Sequence, residues 1–179
     1  MTTTNIQSMN FTEYVNTQFR FAFEHPRDWN FQIQKIPDDL PKNSFVVFII
    51  GPLESSTGSG QSLLSLWVMP NQTKANPPDA VNNYIEDIIN KLNKQTSNLI
   101  QKRFEQMADT QGVEIEYSIN TFRPLRLPRK YQKSVVIHHL RMIVEKSGYI
   151  FDLKFSASEA DYPSQKKVYE NAKKTFKFI

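Results

Sequence analysis

Cysteine is absent from this chain of 179 residues. Its absence excludes thiol catalysis, cysteine-ligated zinc and iron–sulfur chemistry, because each of them needs a thiolate. The compartment stays open, since many proteins on either side of a membrane lack cysteine. The chain also lacks an apolar run long enough to span a membrane, and residues 1–10 lack the basic and apolar regions of a signal peptide.

The starting residue leaves two expectations for the cellular compartment. If Met1 is the native start, we expect a cytoplasmic protein. If a targeting segment was removed ahead of it, we expect an extracytoplasmic or lumenal protein. Peripheral association with a membrane stays open, although no amphipathic basic helix supports it.

Motifs for phosphate binding and for hydrolysis are missing as well. The Ser- and Gly-rich stretch 54–61 lacks the Lys-Ser or Lys-Thr ending of a phosphate-binding loop and leads into strand-like residues. Ser59, between Gly58 and Gly60, lacks the strand-turn-helix context of a nucleophile elbow. We therefore assign no catalytic residue and no cofactor, and we expect a non-enzymatic protein.

The adjacent pair His138 and His139 comes nearest to a metal-binding pattern. Neighbouring residues of a strand point to opposite faces, so the two imidazoles should diverge rather than chelate one ion. We interpret His138 as an interior residue on an apolar face and His25, before Pro26, as a turn residue. We therefore predict no metal site.

Two carboxylate pairs could serve acid–base chemistry. Asp38 and Asp39 lie in a proline-flanked loop, and Glu114 and Glu116 share a strand face for which solvation is the ordinary explanation. Hydrolysis would need carboxylates facing each other across a cleft with perturbed pKa values. A small hydrolase or isomerase remains the alternative, and a tight cluster of buried polar residues with strongly shifted pKa values would favour it.

Alternating apolar residues predict the first strands of the chain. A strand at 19–23 is followed by a turn at 25–29, after which alternation resumes at Phe31, which indicates a strand-turn-strand opening. The unbroken apolar run 45–50 is typical of a central strand covered on both faces, so helices should lie on both sides of the sheet. Residues 63–69 form a further strand.

The second half of the chain predicts antiparallel hairpins. Residues 113–119 alternate between a dry and a wet face, and Phe104 and Met107 precede them across 109–112, which has the composition of a hairpin turn. Strands at 135–144 and 149–155 flank Lys146-Ser147-Gly148, which has the composition of a hairpin turn.

Two helices follow from capping residues and apolar spacing. Asn76 and Pro77 begin the first helix, and its apolar stripe should face the core. The second helix keeps Pro163 in its first turn, and its last residues should anchor the C-terminus on the sheet through Phe176 and Phe178.

One segment stands out by charge, the basic loop 123–133, which contains five cationic residues, no acidic residue and two prolines. A solvated connection is the ordinary explanation. The second explanation is docking to an acidic protein surface. Each arginine presents paired hydrogen-bond donors, and the prolines stiffen the loop, so binding would cost little conformational entropy. Nucleic acid is disfavoured, since Tyr131 alone supplies little aromatic stacking. The candidate partner-binding residues are Arg123, Arg126, Arg129, Lys130 and Lys133.

The two ends of the chain carry known motifs. Residues 19–26, FRFAFEHP, are followed by Trp29, and this spacing resembles the F-x-F-x-(Y/H)-P-x-x-W opening of the PsbP-like family. Residues 148–157, then Tyr162 and a helix ending in Thr175-Phe176-Lys177, resemble the closing strand and terminal helix of that family. The order of elements also fits across nearly the whole chain.

The resemblance implies an α+β fold, an α/β/α sandwich around a central antiparallel sheet. Extrinsic photosystem II subunits and a yeast nuclear-import factor that binds the GTPase Ran share this fold, and they are non-enzymatic binders. We expect a flexible N-terminus at 1–10, a single domain at 11–179, and a protein-binding or assembly module whose partner presents an acidic surface. Two features distinguish this chain from the photosynthetic members: it lacks a targeting segment, and it contains the basic loop.

Overall fold

The structure is a computed structural model that describes residues 9–52, 61–73, 75–93, 97–123 and 133–179, with the backbone alone at 123 and 133. Within these residues the chain forms two helices and ten strands. In chain order they are β1 Phe11–Asn16, β2 Phe21–Pro26, β3 Asn30–Ile33, β4 Phe45–Ile50, β5 Leu63–Pro70, α1 Pro77–Leu92, β6 Ser97–Met107, β7 Thr110–Arg123, β8 Lys133–Lys146, β9 Tyr149–Ser158, α2 Tyr162–Thr175 and β10 Lys177–Phe178.

Seven strands form one antiparallel sheet in the order β3-β4-β5-β9-β8-β7-β6. The predicted hairpin between β8 and β9 is confirmed, and its turn residues Ser147 and Gly148 have φ values of 53° and 83°. Two successive left-handed residues suit the right-handed twist of the flanking strands. The hairpin between β6 and β7 is also confirmed, and Ala108 in its turn has a φ of 52°.

The first three strands of the chain belong to two different sheets. The predicted strand-turn-strand order is confirmed, but β2 pairs with β1 and β10 in a separate three-stranded sheet, whereas β3 pairs with β4. Phe21, Ala22 and Phe23 are all buried, so β2 lies covered between β1, β10 and the interior. Trp29, in the turn between the two sheets, is 6% exposed.

Helix α1 covers one face of the large sheet, called here the α1 face. Its predicted start is confirmed, because Oδ1 of Asn76 accepts a hydrogen bond from the amide of Asp79 at 3.1 Å. Its apolar stripe packs on β7 and β8, and the buried residues are Ala80, Val81, Ile85, Ile88 and Leu92. Among the described helices, none is long and apolar enough to cross a membrane.

Helix α2 and the small sheet cover the opposite face, called here the α2 face. Val168, Tyr169 and Ala172 are buried there in one apolar cluster with the aromatic residues of β2. The predicted anchoring of the C-terminus is confirmed, since the ring of Phe178 lies 5.0 Å from that of Phe151. The chain therefore has the α+β architecture expected of it, a central antiparallel sheet between two outer layers.

Candidate functional site

The β7–β8 hairpin projects beyond its neighbouring strands. The last β6–β7 pair is Ser97 with Ile119, and the last β8–β9 pair is Ile137 with Ser158. The β7–β8 ladder nevertheless continues to the pair Arg123 and Lys133. Among the described residues, the final four pairs of this ladder have no further strand beside them. We call residues 120–123 and 133–136 the ribbon.

The ribbon carries the ends of the basic loop. Arg123 and Lys133 are its last residues and pair with each other, whereas Arg126, Arg129 and Lys130 lie outside the described residues. Ser134 is exposed, and its hydroxyl donates a hydrogen bond of 3.0 Å to Oδ1 of Asn120.

The expectation of a solvated face around Glu114 is wrong. Glu114 is 2% exposed because α2 packs over this side of β7. It accepts hydrogen bonds from the guanidinium of Arg103, from the Tyr169 hydroxyl at 2.8 Å and from Lys173 Nζ at 2.7 Å. Burial opposes ionisation, but these donors outweigh it and lower the pKa of Glu114.

Glu116 is also hydrogen-bonded to a residue of α2. It accepts a hydrogen bond from the Tyr162 hydroxyl at 2.8 Å. Burial, followed by this hydrogen bond and the charge of Glu116, raises the pKa of Tyr162.

The predicted dry face of β7 is confirmed, with Val113, Ile115 and Tyr117 buried under α1. Asp38 and Asp39 lie in the exposed connection between β3 and β4.

The predicted divergence of His138 and His139 is confirmed. The ring of His138 stacks on Tyr162 at 4.8 Å on the α2 face, and the ring of His139 stacks on Tyr117 at 4.7 Å on the α1 face. The interpretation of His25 as a turn residue is wrong, because it lies in β2 opposite Thr12; it is buried, with Nδ1 3.0 Å from the carbonyl oxygen of Pro26. In the described part of the chain, no three His, Asp or Glu side chains are grouped closely enough to hold a metal ion.

A polar cluster that the sequence analysis did not identify lies on the α1 face. Arg141 in β8 forms an ion pair with Asp152 in β9, in which Nε donates to Oδ1 at 3.1 Å. The Tyr84 hydroxyl, from α1, donates to Oδ2 of Asp152 at 3.0 Å. Burial opposes the charge of Arg141, but the adjacent Asp152 raises the pKa of Arg141 above its usual value. Asp152 is completely buried, so this pair is part of the interior.

Two further titratable groups extend this cluster. Lys154 lies directly opposite Arg141, and burial together with the Arg141 charge lowers the pKa of Lys154 to about 8. Burial, aided by the charges of Lys154 and Arg141, lowers the pKa of His139 to about 3. His139 is therefore neutral at physiological pH. We call Tyr84, His139, Arg141, Asp152 and Lys154 the α1-face cluster.

A signal for this cluster is present in the sequence. In β9, Asp152, Lys154 and Ser156 alternate with Phe151, Leu153 and Phe155, which is the pattern of a strand with one polar face. That pattern does not tell whether a helix covers the polar face. Burial by α1, and with it the shifted pKa values, follows from tertiary packing alone.

Comparison with known proteins identifies the fold. No protein-family model matches the sequence, and no curated protein sequence matches it significantly. Cyanobacterial PsbP from Synechocystis matches with a TM-score of 0.56 and 13% identity, over 98% of this chain and 96% of that protein. A Pseudomonas aeruginosa protein of unknown function gives a TM-score of 0.53 and 11% identity, covering 91% and 93% of the two chains.

The yeast protein Mog1p, described as a Ran-binding protein of Saccharomyces cerevisiae, is also similar. It gives a TM-score of 0.51 with 15% identity and covers 96% of each chain. At these identities the likeness concerns the course of the backbone and transfers no functional residue. The chain has the PsbP/Mog1-like fold.

Proposed function

We propose that this chain is a non-enzymatic protein-binding or assembly module that contacts an acidic partner surface through the basic loop 123–133. The observation that carries the proposal is the ribbon, whose last pair is Arg123 with Lys133, beyond the ends of β6 and β9. A paired ladder holds both ends of the loop at a set separation. The loop therefore loses less conformational entropy when it binds than a free segment would.

The charge of the loop selects the class of partner. Its five cationic residues are accompanied by no acidic residue, and three of them are arginines, which form paired hydrogen bonds with carboxylates. An acidic protein surface is complementary to this arrangement. The Ran-binding description of Mog1p offers a precedent for protein binding on the same fold.

The proposal is tested by photo-crosslinking in extract of the source organism. A photoreactive residue replaces Ser134, which is exposed on the ribbon, and in a separate protein it replaces Lys35, which is exposed between β3 and β4. We expect an adduct with an acidic protein from position 134 and none from position 35. The adduct should disappear at high salt, because exposed charge pairs are screened.

Two triple variants distinguish the effect of the loop cations from the effect of the total charge of the protein. Arg126→Gln, Arg129→Gln and Lys130→Gln remove three cations from the loop; Lys35→Gln, Lys42→Gln and Lys91→Gln remove three exposed cations elsewhere. We expect the first variant to lose the adduct and the second to keep it. Each change at the exposed lysines of the control variant should alter stability by about 0.5 kcal/mol or less, and we expect the loop variant to alter it as little. Equal adduct yields from both variants would refute the loop as the contact surface.

The alternative, a small hydrolase or isomerase, has one specific observation in its favour. The α1-face cluster is a set of polar groups of which Asp152 is buried and the others are partly buried, and the pKa of Lys154, near 8, lies close to the range of catalytic lysines. In the described part of the chain, however, neither Lys154 nor His139 is hydrogen-bonded to a hydroxyl or carboxylate that could act with it. The binding module is therefore the better supported function.

A further inference from the structure

The α1 face contains a position where positive charge exceeds negative charge. Along one row of the sheet, Ser65 in β5, Lys154 in β9 and Arg141 in β8 lie directly opposite one another. Asp152 is the adjacent carboxylate on the same face of β9, and Arg141 and Tyr84 already bind both of its oxygens. Arg141 and Lys154 together carry two positive charges against the single negative charge of Asp152.

Lys154 has no counterion in the described part of the chain. No carboxylate lies within ion-pair distance of its ammonium, and the ammonium donates no hydrogen bond there. Its side chain is only partly buried, so solvent reaches it. Other partly buried cations differ in this respect, since Arg141 is paired with Asp152 and Lys173 with Glu114. A cation in this position costs stability unless an anion accompanies it.

Groups able to hold a small ligand lie at neighbouring positions on the same face of the sheet as Lys154. Ser156 follows Lys154 on the same face of β9 and pairs with His139, whose buried Nδ1 has no described hydrogen-bond partner. Aromatic rings occupy the neighbouring positions. Trp67 lies two residues after Ser65 on the same face of β5, its ring lies 5.9 Å from that of Phe48, and both side chains are partly exposed.

We propose that Lys154, with Ser156 and His139, forms a binding site for a small monocarboxylate with an apolar or aromatic body. The carboxylate accepts hydrogen bonds from the ammonium and from the adjacent polar side chains, while the body lies against the rings of Trp67 and Phe48. Arg141, Lys154 and Asp152 together carry a net charge of one positive unit. The single negative charge of the ligand carboxylate balances it. A dianion such as phosphate would leave an excess negative charge in a partly buried position.

This site is independent of the proposed partner surface. It lies on the covered face of the central strands, whereas the ribbon projects from the end of the sheet. Removing the charges of the basic loop should therefore leave carboxylate binding unchanged, and a failure of one proposal does not decide the other.

The test is calorimetric titration of the full chain with benzoate at pH 7, with sodium chloride adjusted to keep the ionic strength constant. We expect one site, and binding about tenfold weaker or more in Lys154→Met, because a charge-assisted hydrogen bond is lost. Lys35→Met, which removes an exposed cation, is the matched control and should bind as the wild type does. Sodium phosphate is titrated in parallel.

A second measurement keeps the proposal testable if Lys154→Met fails to fold. The carbon resonance next to the Lys154 ammonium is followed against pH in the wild type, with and without benzoate. The groups near this ammonium are Arg141 and Ser65 opposite it, His139 and Asp152 beside it, and Tyr84 and Tyr117, which interact with Arg141 and Asp152. Bound carboxylate favours the charged amine, so its titration should move to higher pH. An unmoved titration, equal binding by Lys154→Met, or binding of phosphate but not benzoate overturns the proposal.

Discussion

Lys173 in α2 donates a hydrogen bond from Nζ to Oε2 of Glu114 in β7, at 2.7 Å. This contact joins the C-terminal helix to a carboxylate that Arg103 and Tyr169 also bind. A glutamate on the polar side of an alternating strand thus holds together β6, β7 and α2. Its hydrogen bonds make it a structural residue, and the first prediction follows from them.

Glu114→Gln should lower the free energy of unfolding by about 2–3 kcal/mol, because two cations and a buried hydroxyl lose their charged acceptor. Urea unfolding at pH 7 measures the change. Glu105→Gln is the control, since Glu105 is more exposed and its contact with Arg103 is 3.4 Å. The control should change stability by about 0.5 kcal/mol or less. Similar losses in the two variants would contradict the structural role of Glu114.

The same carboxylate predicts part of the acid sensitivity of the fold. The pKa of Glu114 is lowered below its ordinary value of 4.5 by folding, so its stabilisation is present above pH 4.5 and is lost as pH falls through the folded value. The difference in unfolding free energy between wild type and Glu114→Gln should therefore shrink at low pH. Chemical denaturation at several pH values from about 7 to 3 measures it.

His139 should make the protein less stable in mild acid. Its pKa is about 3 in the folded chain and 6.5 ordinarily, so below pH 6.5 the unfolded state takes up a proton that the folded state does not. From pH 7 to pH 5 this costs about 2 kcal/mol. His139→Phe keeps a ring against Tyr117 and should remove this part of the pH dependence. An unchanged pH profile would show that folding does not lower the pKa of His139.

Without a bound anion, Lys154→Met should raise stability at pH 7 by about 1–3 kcal/mol, because it replaces a partly buried cation beside Arg141 with an apolar chain. The pKa of Lys154 is about 8 in the folded chain and 10.5 ordinarily. The unfolded state therefore binds more protons between these values, and wild-type stability should rise from pH 8 to 10.5 relative to the variant. Thermal unfolding of both proteins across this range provides the measurement. Loss of stability in the variant would mean that the ammonium has a favourable partner.

Trp29→Ala should destabilise the protein by about 3–5 kcal/mol, because a large ring is removed from the interior. Trp29 is 6% exposed, and two of its ring atoms lie 3.1–3.2 Å from where a side chain on Gly51 would begin. Phe104→Ala is the matched control, since Phe104 is 83% exposed, and it should cost about 0.5 kcal/mol or less. The change is measured by urea unfolding. Near-native stability of Trp29→Ala would contradict the packing of the opening turn.

Several elements of the fold are predictable from residues that lie close together in the sequence. The Asn76 cap, the stripe of α1, the β8–β9 hairpin turn and the apolar run of β4 depend on residues close together in the chain, so their spacing predicts them. The motifs at the two ends were sufficient to indicate the fold as well.

The contacts between polar residues, by contrast, depend on tertiary packing. The division of β2 and β3 between two sheets, the burial of Glu114 under α2 and the meeting of Arg141 with Asp152 and Lys154 depend on strand register and on which helix covers which face. Alternation places a residue on a face, but it does not tell whether water or a helix lies over that face. Burial and neighbouring charge set the pKa values, so the α1-face cluster emerged only when the strands were placed in register.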